Sequence, residues 1–414
     1  PRFWGYITSS AAPIGALGDF LAATVNPNVG GWPLSPMATE IERQTVKWIA
    51  ELIGYPSDCG GLLVSGGNMA NFVGFLAARK ARAGWDIRAH GTAGDSPLRV
   101  YASEETHTWS QKAADLFGLG TDSIRWIPTD GRLRLDTGKL LAQIKKDRQA
   151  GARPLLVVGT AGSVSSGAID PLPEIASICR DHELWFHVDG AYGGVAAVLP
   201  EASADLRGLR LADSVAVDPH KWLYAPIEAG CTLVRNPAHL LDAFSYRPPY
   251  YHLKYESADP ETNYFEQGPQ NTRGFRALKV WLGLKQVGRQ GYVTMIRDDI
   301  RLAGDMHRAV AAHPEFEMFH QELSISTFRY VPRRLSATRG EPETEAWLNR
   351  LNAELLGAIH ASGELYLTNA VIDGRFVLRA CIVNFRTSRA DVEAVPSIVA
   401  RLGAVVDERL GRES

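Results

Sequence analysis

Up to Arg301 the chain alternates between two kinds of apolar pattern. Leu155-Leu156-Val157-Val158, Trp185 to Val188 and Ser214 to Val217 are short, apolar and largely β-branched, the signature of buried strands. Between them, Leu140-Leu141-Ala142-Gln143-Ile144 and Glu174-Ile175-Ala176-Ser177-Ile178 repeat with helical spacing. Such alternation predicts a mostly parallel sheet with helices on both faces. In that architecture ligands gather at the carboxyl ends of the strands. After Arg301 the pattern changes. Leu323 to Val331, Glu364 to Thr368 and Phe376 to Phe385 read as strands of a small C-terminal α+β domain. It is expected to close with a helix capped by Ser388, whose apolar face is Val392, Val395, Ile398, Val399, Leu402 and Val405. The stretch Ser245 to Asn271 is rich in Pro, Tyr and charge without periodicity and reads as a long lid-like loop. There is no internal repeat.

Composition narrows the picture. A chain of 414 residues, 45% hydrophobic and 22% charged, is ordinary for a globular protein of two domains. A formal charge of −2 offers no basic field for nucleic acid or an anionic membrane. No apolar run approaches the ~20 residues of a membrane span. Cys59, Cys179, Cys231 and Cys381 lack paired spacing, and the histidines show no metal-ligand pattern. Reduced thiols and a cytoplasmic location are the expectation, with no metal.

Candidate chemistry concentrates at strand ends. Lys221 follows Ser214-Val215-Ala216-Val217 and an Asp-Pro-His turn. A strand-end lysine held partly out of water is expected to lose part of its preference for the ammonium form and to attack carbonyl carbon. Alone it reads more often as a surface charge. Asp189, in His187-Val188-Asp189-Gly190-Ala191, ends another apolar strand. A carboxylate there can pair with a protonated pyridine nitrogen, and Ala191 leaves a flat surface for a ring. Ser65-Gly66-Gly67-Asn68-Met69-Ala70-Asn71 feeds a helix bearing Phe72, Val73, Leu76 and Ala77. Its glycines bare backbone N–H groups, and Asn68 is the expected N-cap of a phosphate cradle. It matches neither the Walker nor the dinucleotide fingerprint. His107 follows the strand-like Val100-Tyr101-Ala102-Ser103 and is a candidate for stacking on the ring.

In this order these segments resemble the group II pyridoxal-phosphate decarboxylases, specifically the aromatic-L-amino-acid decarboxylase family. The most specific pieces are Asp218-Pro219-His220-Lys221-Trp222 and His187-Val188-Asp189-Gly190-Ala191-Tyr192, and the likeness runs nearly end to end. The resemblance implies an α/β protein of fold type I for pyridoxal 5'-phosphate (PLP) enzymes. A large domain would carry a mostly parallel seven-stranded sheet flanked by helices, beside a small C-terminal α+β domain. The expected division is 1–45 for an N-terminal segment packing on a dimer partner, 46–300 for the PLP domain and 301–414 for the small domain. It further implies Lys221 as the Schiff-base lysine, Asp189 as the pyridinium partner and His107 as the stacking residue. Ser163 would lie near the cofactor's phenolic oxygen, with Gly66, Gly67 and Asn68 at its phosphate and Ala191 and His220 beside it. Tyr250 matches a loop tyrosine that protonates the substrate carbon. Arg273 matches an arginine near the site.

The implied activity is PLP-dependent decarboxylation of an L-amino acid to its amine, by a homodimer acting in amino-acid metabolism. Tyr6, Ile7, Trp32 and His220 fall where the family lines its substrate pocket, which suggests an aromatic substrate such as tryptophan, tyrosine or dopa. Asn28 and Gly30 replace bulky apolar residues and imply a roomier, more polar pocket. Asp218 stands where many relatives are neutral. A decarboxylating aldehyde synthase is an alternative, which tyrosine rather than phenylalanine at 250 disfavours. A carbon–carbon lyase or an aminotransferase is disfavoured by Pro219-His220-Lys221-Trp222. A non-enzymatic binding module would need none of this chemistry.

Overall fold

The computed structural model describes residues 2–92, 94, 96–247 and 262–413. The chain divides into two units. The larger comprises 11–161 and 169–292, the smaller 1–10, 162–168 and 293–414.

The larger unit is built on a seven-stranded sheet in the order β1-β7-β6-β5-β4-β2-β3. Its strands are β1 (Gly60–Val64), β2 (Leu98–Ser103), β3 (Ile124–Ile127), β4 (Arg153–Thr160), β5 (Trp185–Asp189), β6 (Ser214–Val217) and β7 (Gly230–Val234). β6, β5, β4, β2 and β3 run parallel, and β7 is antiparallel to both its neighbours. The central strands are buried along almost their whole length, so they read as continuous apolar runs rather than alternating ones. Three helices matter for the site: α1 (Pro13–Val25), α2 (Pro36–Ile53) and α3 (Gly67–Arg82). α3 lies on the sheet through Ala70, Val73, Phe75, Ala77 and Ala78. Gly74 on α3 is required because a Cβ there would stand 2.8 Å from the ring of His187.

The smaller unit carries an antiparallel sheet in the order β10-β11-β9-β8. Its strands are β8 (Phe316–Glu322), β9 (Ile325–Tyr330), β10 (Thr368–Ile372) and β11 (Arg375–Cys381). Helices Pro342–Ser362 and Val395–Glu413 share its core with Phe328, Leu348, Leu378 and Val399.

Three local expectations are corrected. The strand expected at Glu364 to Thr368 lies later, at β10, because Asp373 and Gly374 both adopt left-handed φ (50° and 75°) and close a two-residue hairpin pairing Ile372 with Arg375. Tyr366 forms only an isolated bridge to Phe3. Ser388 caps the short helix Arg389–Glu393 through a capping box, and the last helix begins afresh at Val395. Val405 is exposed, because the 3.6-residue period returns the buried face at Val406 and Leu410.

Candidate active site

Lys221 lies on a one-turn helix, Pro219–Trp222, directly after β6. Proline at its start is favourable, since the missing N–H would have had no intrahelical partner. The lysine side chain is 22% exposed and is paired with a carboxylate: its Nζ lies 3.0 Å from Asp218 Oδ2, and Asp218 is 2% exposed. Asp218 Oδ1 is buried without a hydrogen-bond partner among the described residues. The carboxylate that looked out of place is thus the anchor of the lysine. His220 Nδ1 donates to the Ala229 carbonyl at 2.6 Å, and its Nε2 is 3.9 Å from Asp218 Oδ2.

Asp189 closes β5, paired in register with Ala216 of β6. Its Oδ2 accepts a hydrogen bond from Trp109 Nε1 at 2.8 Å and its Oδ1 one from the Ala191 backbone N–H at 3.1 Å. Two donors fix the plane of a carboxylate that is 8% exposed. Trp109 was passed over in the sequence. Nothing in spacing connects it to Asp189, and only folding brings the indole from the helix Trp109–Leu116 to β5.

The glycine loop leads into α3, with Gly66 rather than Asn68 as the N-cap. Gly66 adopts φ +141°, which only glycine tolerates readily, so the helix starts two residues earlier than an Asn68 cap would place it, and Asn68 falls in its first turn. A Cβ on Gly67 would stand 2.6 Å from Asp218 Oδ2 and 3.3 Å from Ala191 Cβ, and one on Gly66 3.4 Å from His220 Cε1. Gly66, Gly67, Ala191, Asp218, His220 and Lys221 therefore converge at one end of the sheet. His107 is exposed at its surface, and its Nδ1 accepts from the Trp109 backbone N–H at 3.3 Å. The protein beneath the ring lowers its pKa; Asp189 opposes that shift and Lys221 reinforces it, which places His107 in their shared field.

Trp32 is half-buried, its N–H donating to Asn263 Oδ1 at 3.1 Å. Arg273 is a buried hub of the larger unit, donating to Glu42, Val29 O and Leu63 O. Within the smaller unit, Ile7 is buried, and Tyr6 is half exposed with its hydroxyl 3.4 Å from that of Tyr366. Ser163 Oγ lies 2.9 Å from Ser166 Oγ. Tyr250 lies outside the described residues. Arg379, in the smaller unit, was missed: it is 3% exposed, its Nη1 donates to Gly5 O and Thr368 Oγ1, and its Nε and Nη2 have no partner among the described residues. An arginine within the apolar Phe376-Val377-Leu378-Arg379-Ala380-Cys381 was the legible signal, and its free donors suit an anion.

Fold and site together define a fold type I PLP enzyme, and the conserved domain of pyridoxal-dependent decarboxylases matches residues 1–331. The chain belongs to that family and is a PLP-dependent carboxy-lyase. It is 34% identical over 409 residues to an aromatic-L-amino-acid decarboxylase of Bacillus atrophaeus, covering 99% of this chain and 82% of that one. It is 31% identical over 390 residues to a phenylacetaldehyde synthase of a Rosa hybrid cultivar, covering 92% and 76%. Among solved structures it is similar to the Oryza sativa TDC with PLP and tryptamine: TM-score 0.89, 29% identity, 98% of this chain and 84% of that one.

The residues fit the cofactor. The cradle is closed to any Cβ at Gly67, an oriented carboxylate stands at Asp189, and an amine with a partly open face stands at Lys221.

Proposed function

We propose that the protein decarboxylates an aromatic L-amino acid to the corresponding amine. The observation that carries this reading is that β5 and β6 bring Asp189 and Lys221 to one sheet end beside Gly66 and Gly67. The named activities of the Bacillus and Rosa relatives support an aromatic substrate. PLP, when bound, supplies an electron sink for the α-carbon of the substrate. Lys221 would hold it covalently, Asp189 would keep its pyridine nitrogen protonated, and Gly66, Gly67 and Asn68 would receive its phosphate at the α3 N-terminus. His107 would cover the ring, Ala191 would back it, and Ser163 and His220 would complete the surroundings. Tyr6, Ile7, Trp32 and His220 would line the substrate pocket. Tyr250, outside the described residues, would protonate the α-carbon, since a phenol stays protonated at neutral pH yet can yield its proton to a carbanion.

The same proposal includes a homodimer. α1 turns Gly15 and Gly18 against Pro226 and Lys279 so closely that a Cβ would stand 2.5 and 2.9 Å from them. Its other face exposes Leu17, Phe20, Leu21 and Val25, with Leu34 and Met37 exposed further along. A large apolar face left in water is the mark of a subunit interface, and residues 1–45 are proposed to pack there on the partner, ahead of a PLP domain at 46–300 and a small domain at 301–414. No helix among the described residues is long and apolar enough to cross a membrane. Four cysteines without a disulfide suit a cytoplasmic enzyme.

Product analysis over a panel of amino acids tests the reading. Amine and carbon dioxide from tryptophan, tyrosine or dopa are expected. Aldehyde as the main product would move the assignment to the synthase alternative, and no decarboxylation of any aromatic amino acid would overturn it.

A further inference from the structure

Beneath the site runs a chain of buried polar groups to which no step of the reaction has been assigned. It begins at Trp185 and ends at Gly67, in the first turn of α3. Trp185 Nε1 lies 2.8 Å from Ser214 Oγ, which is 2.7 Å from His187 Nδ1. His187 Nε2 is 2.7 Å from Asn71 Oδ1, and Asn71 Nδ2 is 2.8 Å from the Gly67 carbonyl. Every side chain in it is buried, His187 and Ser214 completely.

The two ends fix the direction of every bond. An indole N–H can only donate and a backbone carbonyl can only accept. Asn71 must therefore turn its NH₂ to Gly67 and its oxygen to His187, so His187 Nε2 carries the proton. Ser214, already accepting from Trp185, gives its own proton to the bare Nδ1. The chain is satisfied only with His187 neutral and in the Nε2–H tautomer. An imidazolium would aim a second N–H at Ser214 Oγ and leave the hydroxyl proton without an acceptor. Burial likewise pushes the His187 pKa down to about 4, opposed by Asp189. The elements packed on the ring present no other charge: α3 offers Asn71 and Gly74, β6 offers Ser214, and Trp109 stands edge-on at 5.5 Å.

We propose that His187 is a positioning residue, which locks the phosphate cradle of α3 to the strand that carries Asp189 through a hydrogen-bond chain of fixed direction. It deepens the cofactor reading above and rests on it. His187 and Asp189 are both on β5, and Trp109 touches both, packing on the imidazole and donating to the carboxylate. The groups assigned to the two ends of the cofactor are thus held by one rigid buried unit, which is how a site is kept preorganised.

The test has one arm on the unaltered protein and one on variants. Selective ¹⁵N-histidine NMR should show one imidazole with Nε2 protonated and Nδ1 bare, unchanged from pH 5 to 8, whose signal is missing in His187→Gln. The Nδ1–H tautomer at His187, or titration in that range, would overturn the proposal, and this arm stands even where a variant fails to fold. Glutamine can donate to Asn71 and accept from Ser214, so His187→Gln should keep the dissociation constant for PLP within about threefold. His187→Leu fills the space without the bonds and should weaken PLP binding tenfold or more, the scale of a lost buried hydrogen bond. A role in packing alone predicts lost thermal stability in His187→Leu with unchanged PLP affinity, and that result would overturn the proposal. Gly67→Val separates the two claims: unchanged PLP affinity there would sink the cradle reading itself, whatever His187 does.

Discussion

Replacing Glu42 by glutamine should unfold the larger unit far more easily than the loss of one surface charge would. Glu42 on α2 is fully buried, as is the Arg273 guanidinium. Arg273 Nη2 donates to Glu42 Oε1 at 2.5 Å and Nη1 to Oε2 at 3.1 Å, while the same Oε1 accepts the Leu63 N–H at 2.8 Å. The guanidinium also lies 4.5 Å from the Tyr264 ring, and the Arg273 N–H shares Asn28 Oδ1 with the Gly30 N–H. Glu42→Gln puts an amide NH₂ against one arm of the fork and leaves the guanidinium buried without its counter-charge. Breaking one side of a buried pair costs about 3–5 kcal/mol, a large share of the roughly 5–15 kcal/mol that holds a domain folded. Urea unfolding followed by tryptophan fluorescence reads this as a lower midpoint. Removing both charges with Glu42→Leu and Arg273→Met should restore most of the loss, since the pair repays little more than its own desolvation. A Glu42→Gln protein within about 1 kcal/mol of wild type, or a double variant as weak as the single, would refute the reasoning.

Asp189→Asn should retain PLP yet lose about 10²–10³ in turnover, the usual cost of removing one preorganised electrostatic partner; near-full kcat would show that Asp189 is not the pyridinium partner. His187 makes stability depend on pH. Its native pKa of about 4 lies below the ordinary 6.5, so between those values only the unfolded chain takes up the proton. Its contribution is whole above pH 6.5 and is lost as pH falls to 4, about 3 kcal/mol in all. His187→Gln should flatten the stability curve in that window, and an unchanged slope would contradict the assignment. Tyr250→Phe should divert product from amine to aldehyde and ammonia in the presence of dioxygen. Tyr251→Phe is the matched control, and unaltered amine yield from Tyr250→Phe would place the proton donor elsewhere.

The strands at the centre of the sheet were legible because burial on both faces leaves them mostly apolar, with His187 and Ser214 as buried exceptions, and Asp189 and Lys221 stood out because they come at or just after the carboxyl ends of those runs. What escaped was whatever depends on distant residues meeting. The pairing of Arg273 with Glu42 joins positions 231 apart, and the indole on Asp189 comes from 80 residues away. Asp218 looked anomalous in one dimension because its partner Lys221 is a helical turn further on, a spacing that counts only once Pro219–Trp222 is seen to be helical. Two misses were within reach of the sequence: the Asp373-Gly374 turn that sets β10, and an arginine inside the apolar β11.

The central claim, that Lys221 carries PLP, is tested most directly by reducing the PLP-loaded protein with borohydride and mapping the modified peptide. The account predicts a phosphopyridoxyl group on Lys221, in Asp218-Pro219-His220-Lys221-Trp222, at one per chain. Label on another lysine, or a protein that takes up no PLP to reduce, would contradict it.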